Sequence, residues 1–225
     1  MPTKIVAVTI NKGGVGKTTI TKNLATAAAV AGLTVLIVDM DTQQNADAWG
    51  RRRRQHQPER QLPLVQFATE RDLPEVLERA RAADCDLVLI DTPPGRSTEA
   101  PAAVEAANFV LIPFWLETDA FEGLKKTADL ARRLGTPAAA ILNFATPNSR
   151  SHEESARDVL KALDVRMSPV VLHRYEAHRN ANPTGLTAFE AEPDSRPAAE
   201  IAALWDWLSA ELQFSTNAHV HKGAA

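Results

Sequence analysis

The sequence predicts one α/β domain, a twisted and mainly parallel sheet flanked by helices on both faces. Three observations predict it. Short apolar runs alternate along the chain with longer amphipathic stretches, an order that implies right-handed crossovers between parallel strands. A glycine-rich loop joins the first apolar run to the first amphipathic stretch, at the carboxyl end of a strand, where such sheets take their ligands. The composition, 44% apolar and 24% charged with a formal net charge of −3 over 225 residues, supports a buried core and argues against extended disorder.

Along the chain, the first strand is expected at 5–10 and runs into the glycine loop. A helix at 18–31 follows and stops where Gly32 supplies a cap. The second strand, 35–38, leads into Asp39-Met40-Asp41, and a helix follows at 44–54. The third strand, 64–67, precedes a helix at 73–83. The fourth, 87–90, is four apolar residues closing on Asp91, with a helix at 98–107 behind it. The fifth, 109–114, precedes a helix at 120–134 that ends at Gly135. The sixth, 139–144, precedes a helix at 151–163. A seventh short run lies at 170–172. All are brief, and polar or turn residues bound them, as buried strands require. A last helix, about 197–212, carries Ile201, Leu204, Trp205, Leu208 and Leu212 at helical spacing, so Trp205 and Trp207 are expected to pack it. No repeat or linker splits the chain. Residues 1–213 read as one domain, and 214–225 as a small polar, flexible tail that carries His219 and His221.

Several classes are excluded. Cys85 is the only cysteine, which rules out a disulfide framework and an iron–sulfur or Cys-rich zinc site held within one chain. The histidines are scattered without metal-ligand spacing. No apolar run reaches the 18 residues of a membrane span, the tail lacks the apolar face of a membrane-lying helix, and the N-terminus lacks the features of a signal peptide. The expected address is the cytoplasm, with no membrane partner. The 25 basic residues against 28 acidic ones argue against a globally polycationic nucleic-acid binder and leave a local patch open.

The loop reads Asn11-Lys12-Gly13-Gly14-Val15-Gly16-Lys17-Thr18-Thr19. Between a strand and a helix, it aims successive backbone N–H groups and the positive helix end at one point, and its glycines let the backbone close around phosphates. Lys17 suits the β- and γ-phosphates, and the Thr18 hydroxyl suits Mg²⁺. Asp39 and Asp41 point the same way if their strand continues; alternatively, both cap the strand end. After a phosphate loop, the run that ends in Asp91 is what a magnesium-supporting strand needs. Asn143 sits at the end of the sixth strand, where a turn-forming role is equally open. Arg51-Arg52-Arg53-Arg54 reads as a solvated face, with DNA phosphates or nearby acids as alternatives.

The loop departs from the usual phosphate-loop pattern. Asn11 stands where its first glycine would fall, and an extra lysine, Lys12, precedes two glycines. Lys12-Gly-Gly-x-Gly-Lys17-Thr-Thr resembles the deviant Walker A box of the ParA/MinD family of ATPases. The resemblance covers nearly the whole chain and is sharpest over 5–45 and 86–95. It implies a P-loop NTPase fold with ATP and Mg²⁺ bound by Gly13, Gly14, Val15, Gly16, Lys17, Thr18 and Thr19. It implies that Lys12 crosses a dimer interface to the partner's nucleotide; on spacing alone, a solvated surface lysine fits equally. Asp39-Met-Asp41-Thr42-Gln43 resembles the family's Asp-x-Asp-Pro-Gln element, with Thr42 in place of proline. By that resemblance Asp41 orients the attacking water, and Asp39 supports the Mg²⁺ shell and the loop. Asp91-Thr-Pro-Pro-Gly95 resembles the switch II turn, with Asp91 at the metal, and Asn143 stands where the family bonds adenine. Arg174 and Arg179 lie where ParA-type members carry nonspecific DNA contacts. The implied activity is a slow Mg²⁺-dependent ATPase. It dimerises around two ATP molecules on nucleoid DNA and segregates plasmids or chromosomes with a ParB-type centromere-binding protein. With the first strand starting by residue 5, operator recognition is expected to belong to that partner. A MinD-like or other cargo-positioning ATPase, or a nucleotide-binding scaffold, is the alternative.

Overall fold

A computed structural model of the chain describes residues 2–95, 98–146 and 150–214. Six parallel strands form one sheet in the order β3-β2-β4-β1-β5-β6. They are β1 (Lys4–Val8), β2 (Val35–Asp39), β3 (Leu64–Phe67), β4 (Leu87–Asp91), β5 (Phe109–Phe114) and β6 (Ala138–Leu142). The crossovers are α1 (Lys17–Val30), α2 (Asn45–His56), α3 (Leu73–Ala82), α4 (Glu99–Ala106) and α5 (Thr118–Leu134). After β6 come α6 (Arg150–Ala162), the short α7 (Ala177–Asn180), a 3₁₀ turn (Asn182–Thr184), α8 (Ala188–Ala191) and α9 (Arg196–Glu211).

Strand periodicity divides the core into two layers. On β1, Ile5 and Ala7 face one side, where they join Val88, Ile90, Val110 and Ile112 beneath residues of α3 to α6. Val6 and Val8 face the other, where they join Leu87, Leu89 and Leu111 beneath α1, α2 and α9. Both faces are covered, so the central strands are near-continuous apolar runs, with Lys4 and Asp91 only at strand ends, as parallel sheets require. Trp205 is buried, and its neighbour Trp207 meets Phe109 edge to face at 5.8 Å.

Residues 170–172 do not form a seventh strand. Residues 166–173 run beside β6 and the residues after it, touching them through single bridges, Ala140 in β6 to Met167 and Ala145 beyond it to His173. Ser168 N–H faces Ala140 O, but the next N–H in register, that of Val170, is taken by Ser168 Oγ at 3.1 Å, and the ladder breaks there. Phe214, placed in the tail by the sequence reading, packs against Trp205 at 6.0 Å between centroids. Residues 215–225, with His219 and His221, lie outside the described residues. Among the described residues, no helix is long and apolar enough to cross a membrane.

Candidate functional site

The sheet register brings three strand ends together, because Asp91 lies opposite both Val8 and Asp39. Residues 9–16 then wrap back over these ends into α1, entering it through Gly16 in the left-handed region at φ 89°. Among the described residues, none of the N–H groups from Gly13 to Thr19 has a protein acceptor. Seven donors without partners at a helix N-terminus form an anion cradle. Lys17 lies under it, 7% exposed. Its Nζ donates to the carbonyls of Lys12 at 2.9 Å and Ile10 at 3.4 Å. Burial lowers its pKa, against the opposing charges of Asp91 and Asp41.

Asp91 is 1% exposed, and neither of its carboxylate oxygens has a well-formed hydrogen bond. Burial pushes its pKa up to about 7, helped by Asp39; a marginal contact from the Thr18 hydroxyl and the charges of Lys17 and Lys22 pull the other way. An unpartnered buried carboxylate beside a threonine hydroxyl is an all-oxygen donor set that fits a hard cation such as Mg²⁺.

The two carboxylates after β2 separate in role. Asp39 accepts from Asp41 N–H at 3.0 Å through Oδ1, and from the N–H groups of Ala46 and Asp47, both at 2.9 Å, through Oδ2. It therefore supports the loop and caps α2 from outside that helix. Burial raises its pKa despite those three N–H groups. Asp41 lies beyond the strand end, 9% exposed, and Oδ1 accepts from Gln43 N–H at 2.9 Å. Lys12 sits at the loop's rim with its Nζ 3.8 Å from Glu117 Oε2.

Asn143 reaches the loop from β6, where its Nδ2 donates to Val15 O at 2.7 Å. A Cβ on Gly16 would come 2.3 Å from that nitrogen. Beside it opens a cleft of about 330 Å³ lined by Thr19, Lys22, Asn143, Phe144, Arg174 and Tyr175 among others. Arg174 is exposed at this cleft, 6.0 Å over the Phe144 ring. Arg179 is exposed on α7 and paired with Glu176.

The 51–54 run is not a solvated face throughout. Arg51 pairs with Asp47 and Arg54 is exposed, but Arg53 is 3% exposed. Its guanidinium bonds both carboxylate oxygens of Glu190, at 2.9 and 2.7 Å, and the carbonyls of Leu62 and Gly185. The sign was present in the sequence: Ala46, Trp49, Gly50 and Arg53 share one helical face. Lys22 was missed as well. Four residues after Thr18, it shares that face of α1. Its Nζ donates to Asn182 Oδ1 at 2.8 Å and lies 5.7 Å over Trp49, and burial lowers its pKa to about 8.

Comparison with known proteins adds to this geometry. A family model described as the CobQ/CobB/MinD/ParA nucleotide binding domain matches residues 6–185. The chain is 33% identical over 209 residues to the maintenance of carboxysome distribution protein A of Gloeobacter kilaueensis, covering 88% of this chain and 93% of that protein. It is 30% identical over 218 residues to the chromosome partitioning protein ParA of Caulobacter vibrioides, covering 77% and 81%. The crystal structure of the cell division ATPase MinD of Pyrococcus furiosus superposes with a TM-score of 0.76 at 23% identity, covering 92% of this chain and 99% of that one.

Proposed function

This chain belongs to the CobQ/CobB/MinD/ParA nucleotide-binding domain family, and from that premise we propose that it is a Mg²⁺-dependent ATPase of the ParA type. In this reading it pairs around two ATP molecules, binds DNA without sequence preference in the cytoplasm at the nucleoid, and segregates a plasmid or chromosome with a ParB-type centromere-binding partner. The observation that carries the nucleotide is the cradle of seven undonated N–H groups over Lys17, beside the unpartnered Asp91.

The residues take these parts. The cradle and Lys17 bind the phosphates, with Lys17 on the β- and γ-groups. Thr18 and Asp91 hold Mg²⁺, which when bound neutralises phosphate charge. Asp39 supports the Mg²⁺ shell and fixes the loop on which Asp41 orients the attacking water. Asn143, at the cleft, faces the base. Lys12 reaches the nucleotide of the partner subunit. Once the γ-phosphate is gone, the contacts that joined the pair are lost and the subunits part. Arg174 and Arg179 contact DNA phosphates. A second reading keeps the chemistry and changes the cargo: the 33% identical relative is named for carboxysome distribution, which favours an organelle-positioning ATPase.

The test is a gel shift on unrelated duplexes with ATP, ADP or no nucleotide across a salt series. Binding should require ATP and fall with salt at a slope near −0.9 per neutralised phosphate, a coefficient general to duplex DNA. Equal binding in all three states, or none with ATP at low salt, would remove the DNA-borne reading.

A further inference from the structure

One face of α2, with Trp49, Arg52 and Arg53, and Gln57 just after its end together grip four backbone carbonyls of one short segment. Arg52 Nε donates to Asn182 O at 3.2 Å, and Gln57 Nε2 to Thr184 O at 3.4 Å. Arg53 Nη1 donates to Gly185 O at 3.1 Å, and Trp49 Nε1 to Leu186 O at 3.2 Å. The approach is closest at Gly185, with φ at +73°, where a Cβ would fall 2.3 Å from Arg53 Cα. The other side of this segment meets α1. Lys22 bonds Asn182 Oδ1 at 2.8 Å, and His178 Nδ1 lies 3.5 Å from Asn23 Nδ2. Arg174, Tyr175, Glu176, His178, Arg179 and Asn182 make one wall of the cleft beside the phosphate loop. Residues 174–186 are thus a lip of the cleft fastened along the side of α2.

The first turn of α2, next to Trp49, is fastened to the chemistry. Asp39 Oδ2 holds the N–H groups of Ala46 and Asp47, and Asp39 Oδ1 holds that of Asp41. A 12-residue helix is a rod about 18 Å long. A shift of the lip moves the rod, and the rod's first turn shares one carboxylate with the Asp41 loop.

We propose that Trp49 and Arg52 are positioning residues that couple the fit of the nucleotide base in the cleft to the placement of Asp41. The base then governs turnover as well as binding. This inference rests on the ATPase reading for the role of Asp41. The coupling itself, from cleft lip to Asp41 loop, is a separate property that can be measured without turnover.

The test uses the full chain and the variant W49F/R52A, which removes two of the four carbonyl contacts and leaves the Arg53–Glu190 pair to hold the fold. Hydrogen exchange is followed with and without Mg²⁺ and ATP. In the wild type, ATP should protect both 176–186 and 40–47; in the variant it should protect 176–186 alone. Steady-state hydrolysis of ATP and inosine triphosphate supplies the second arm. The wild type should discriminate between them in kcat, and the variant in KM alone. The variant's kcat for ATP should fall on the order of tenfold, short of the hundredfold loss that a 1 Å misplacement can bring. A general loss of stability would raise exchange everywhere and leave the kcat ratio unchanged. Persistent ATP protection of 40–47 in the variant, or its absence in the wild type, overturns the coupling. Intact coupling without hydrolysis of either triphosphate overturns the ATPase reading alone.

Discussion

Two glycines of one loop should respond differently to the same added methyl. Gly14 and Gly16 both have positive φ, 75° and 89°. A Cβ on Gly14 meets nothing within 4 Å, whereas one on Gly16 lies 2.3 Å from Asn143 Nδ2 and 3.3 Å from the Phe144 ring. Left-handed backbone costs a residue with a Cβ about 1–2 kcal/mol, and that is the whole expected loss for Gly14→Ala. In Gly16→Ala the Asn143 amide must also leave its 2.7 Å bond to Val15 O. Leaving a buried partner unsatisfied adds about 1–3 kcal/mol, so the total is about 2–5 kcal/mol. Urea unfolding of the nucleotide-free protein measures both losses without reference to binding. The cycle closes with Asn143→Ala. In that background Gly16→Ala should cost only the strain, so the two sites should couple by about 1–3 kcal/mol. Equal losses at the two glycines, or additive behaviour of Gly16→Ala with Asn143→Ala, would refute the claim that Asn143 braces the phosphate loop.

The remaining expectations concern charge. Lys17→Ala should abolish ATP binding, whereas Lys12→Ala should keep it and lose ATP-driven dimerisation; light scattering with Mg²⁺ and ATP separates the two. Asp41→Ala should bind ATP and accumulate as the dimer, and loss of ATP binding in that variant would assign Asp41 a structural or metal role instead. The Asp91 carboxyl keeps its proton in the folded chain up to about pH 7, whereas an unfolded aspartate titrates near 4, as a rough reference. Between those values the native state binds the extra proton, so this residue's contribution to stability falls as pH rises and is flat above about 7. Asp91→Asn should therefore be more stable than the wild type at pH 8, by a margin that shrinks toward pH 5 in urea unfolding series. An unchanged margin would mean that Asp91 ionises in the fold as it does in water.

Most of the sheet was legible because each buried strand is a short apolar run beside a turn signal, and because the 3.6-residue pattern marks the long helices. The phosphate loop was legible for a different reason: local chemistry, glycine and lysine at fixed spacing, needs no distant partner. What escaped depends on partners far along the chain. Arg53 looks like its neighbours 52 and 54, and although its helical face hints at burial, the pairing that makes its charge tolerable there is with Glu190, 137 residues away. The short helices α7 and α8 are too brief for periodicity to register. The 170–172 run has strand composition, yet Val170 spends its N–H on Ser168 Oγ and the isolated bridges fall on either side of the run, at Met167 and His173. Asp39 and Asp41 were paired by spacing on the condition that the strand continues, but it ends at Asp39; the first accepts three backbone N–H groups, and the second accepts one and lies near enough to Lys17 for its charge to act there.

Asp39 also sets a rule for how this chain can vary. Its carboxylate closes a ring, with residues 40–45 as the arc and the N–H groups of Asp41, Ala46 and Asp47 as the fastenings. The helix that follows takes no side-chain cap from the residue before it, Gln44. An insertion or deletion within 40–45 would therefore change loop length and remove the helix cap in one event, and would displace Asp41 as well. Asp41 apart, whose carboxylate has its own task, substitutions there need only fit the arc. The rest of the segment can change in composition while its length stays fixed, whereas the exposed turn at 58–59 is free to lengthen.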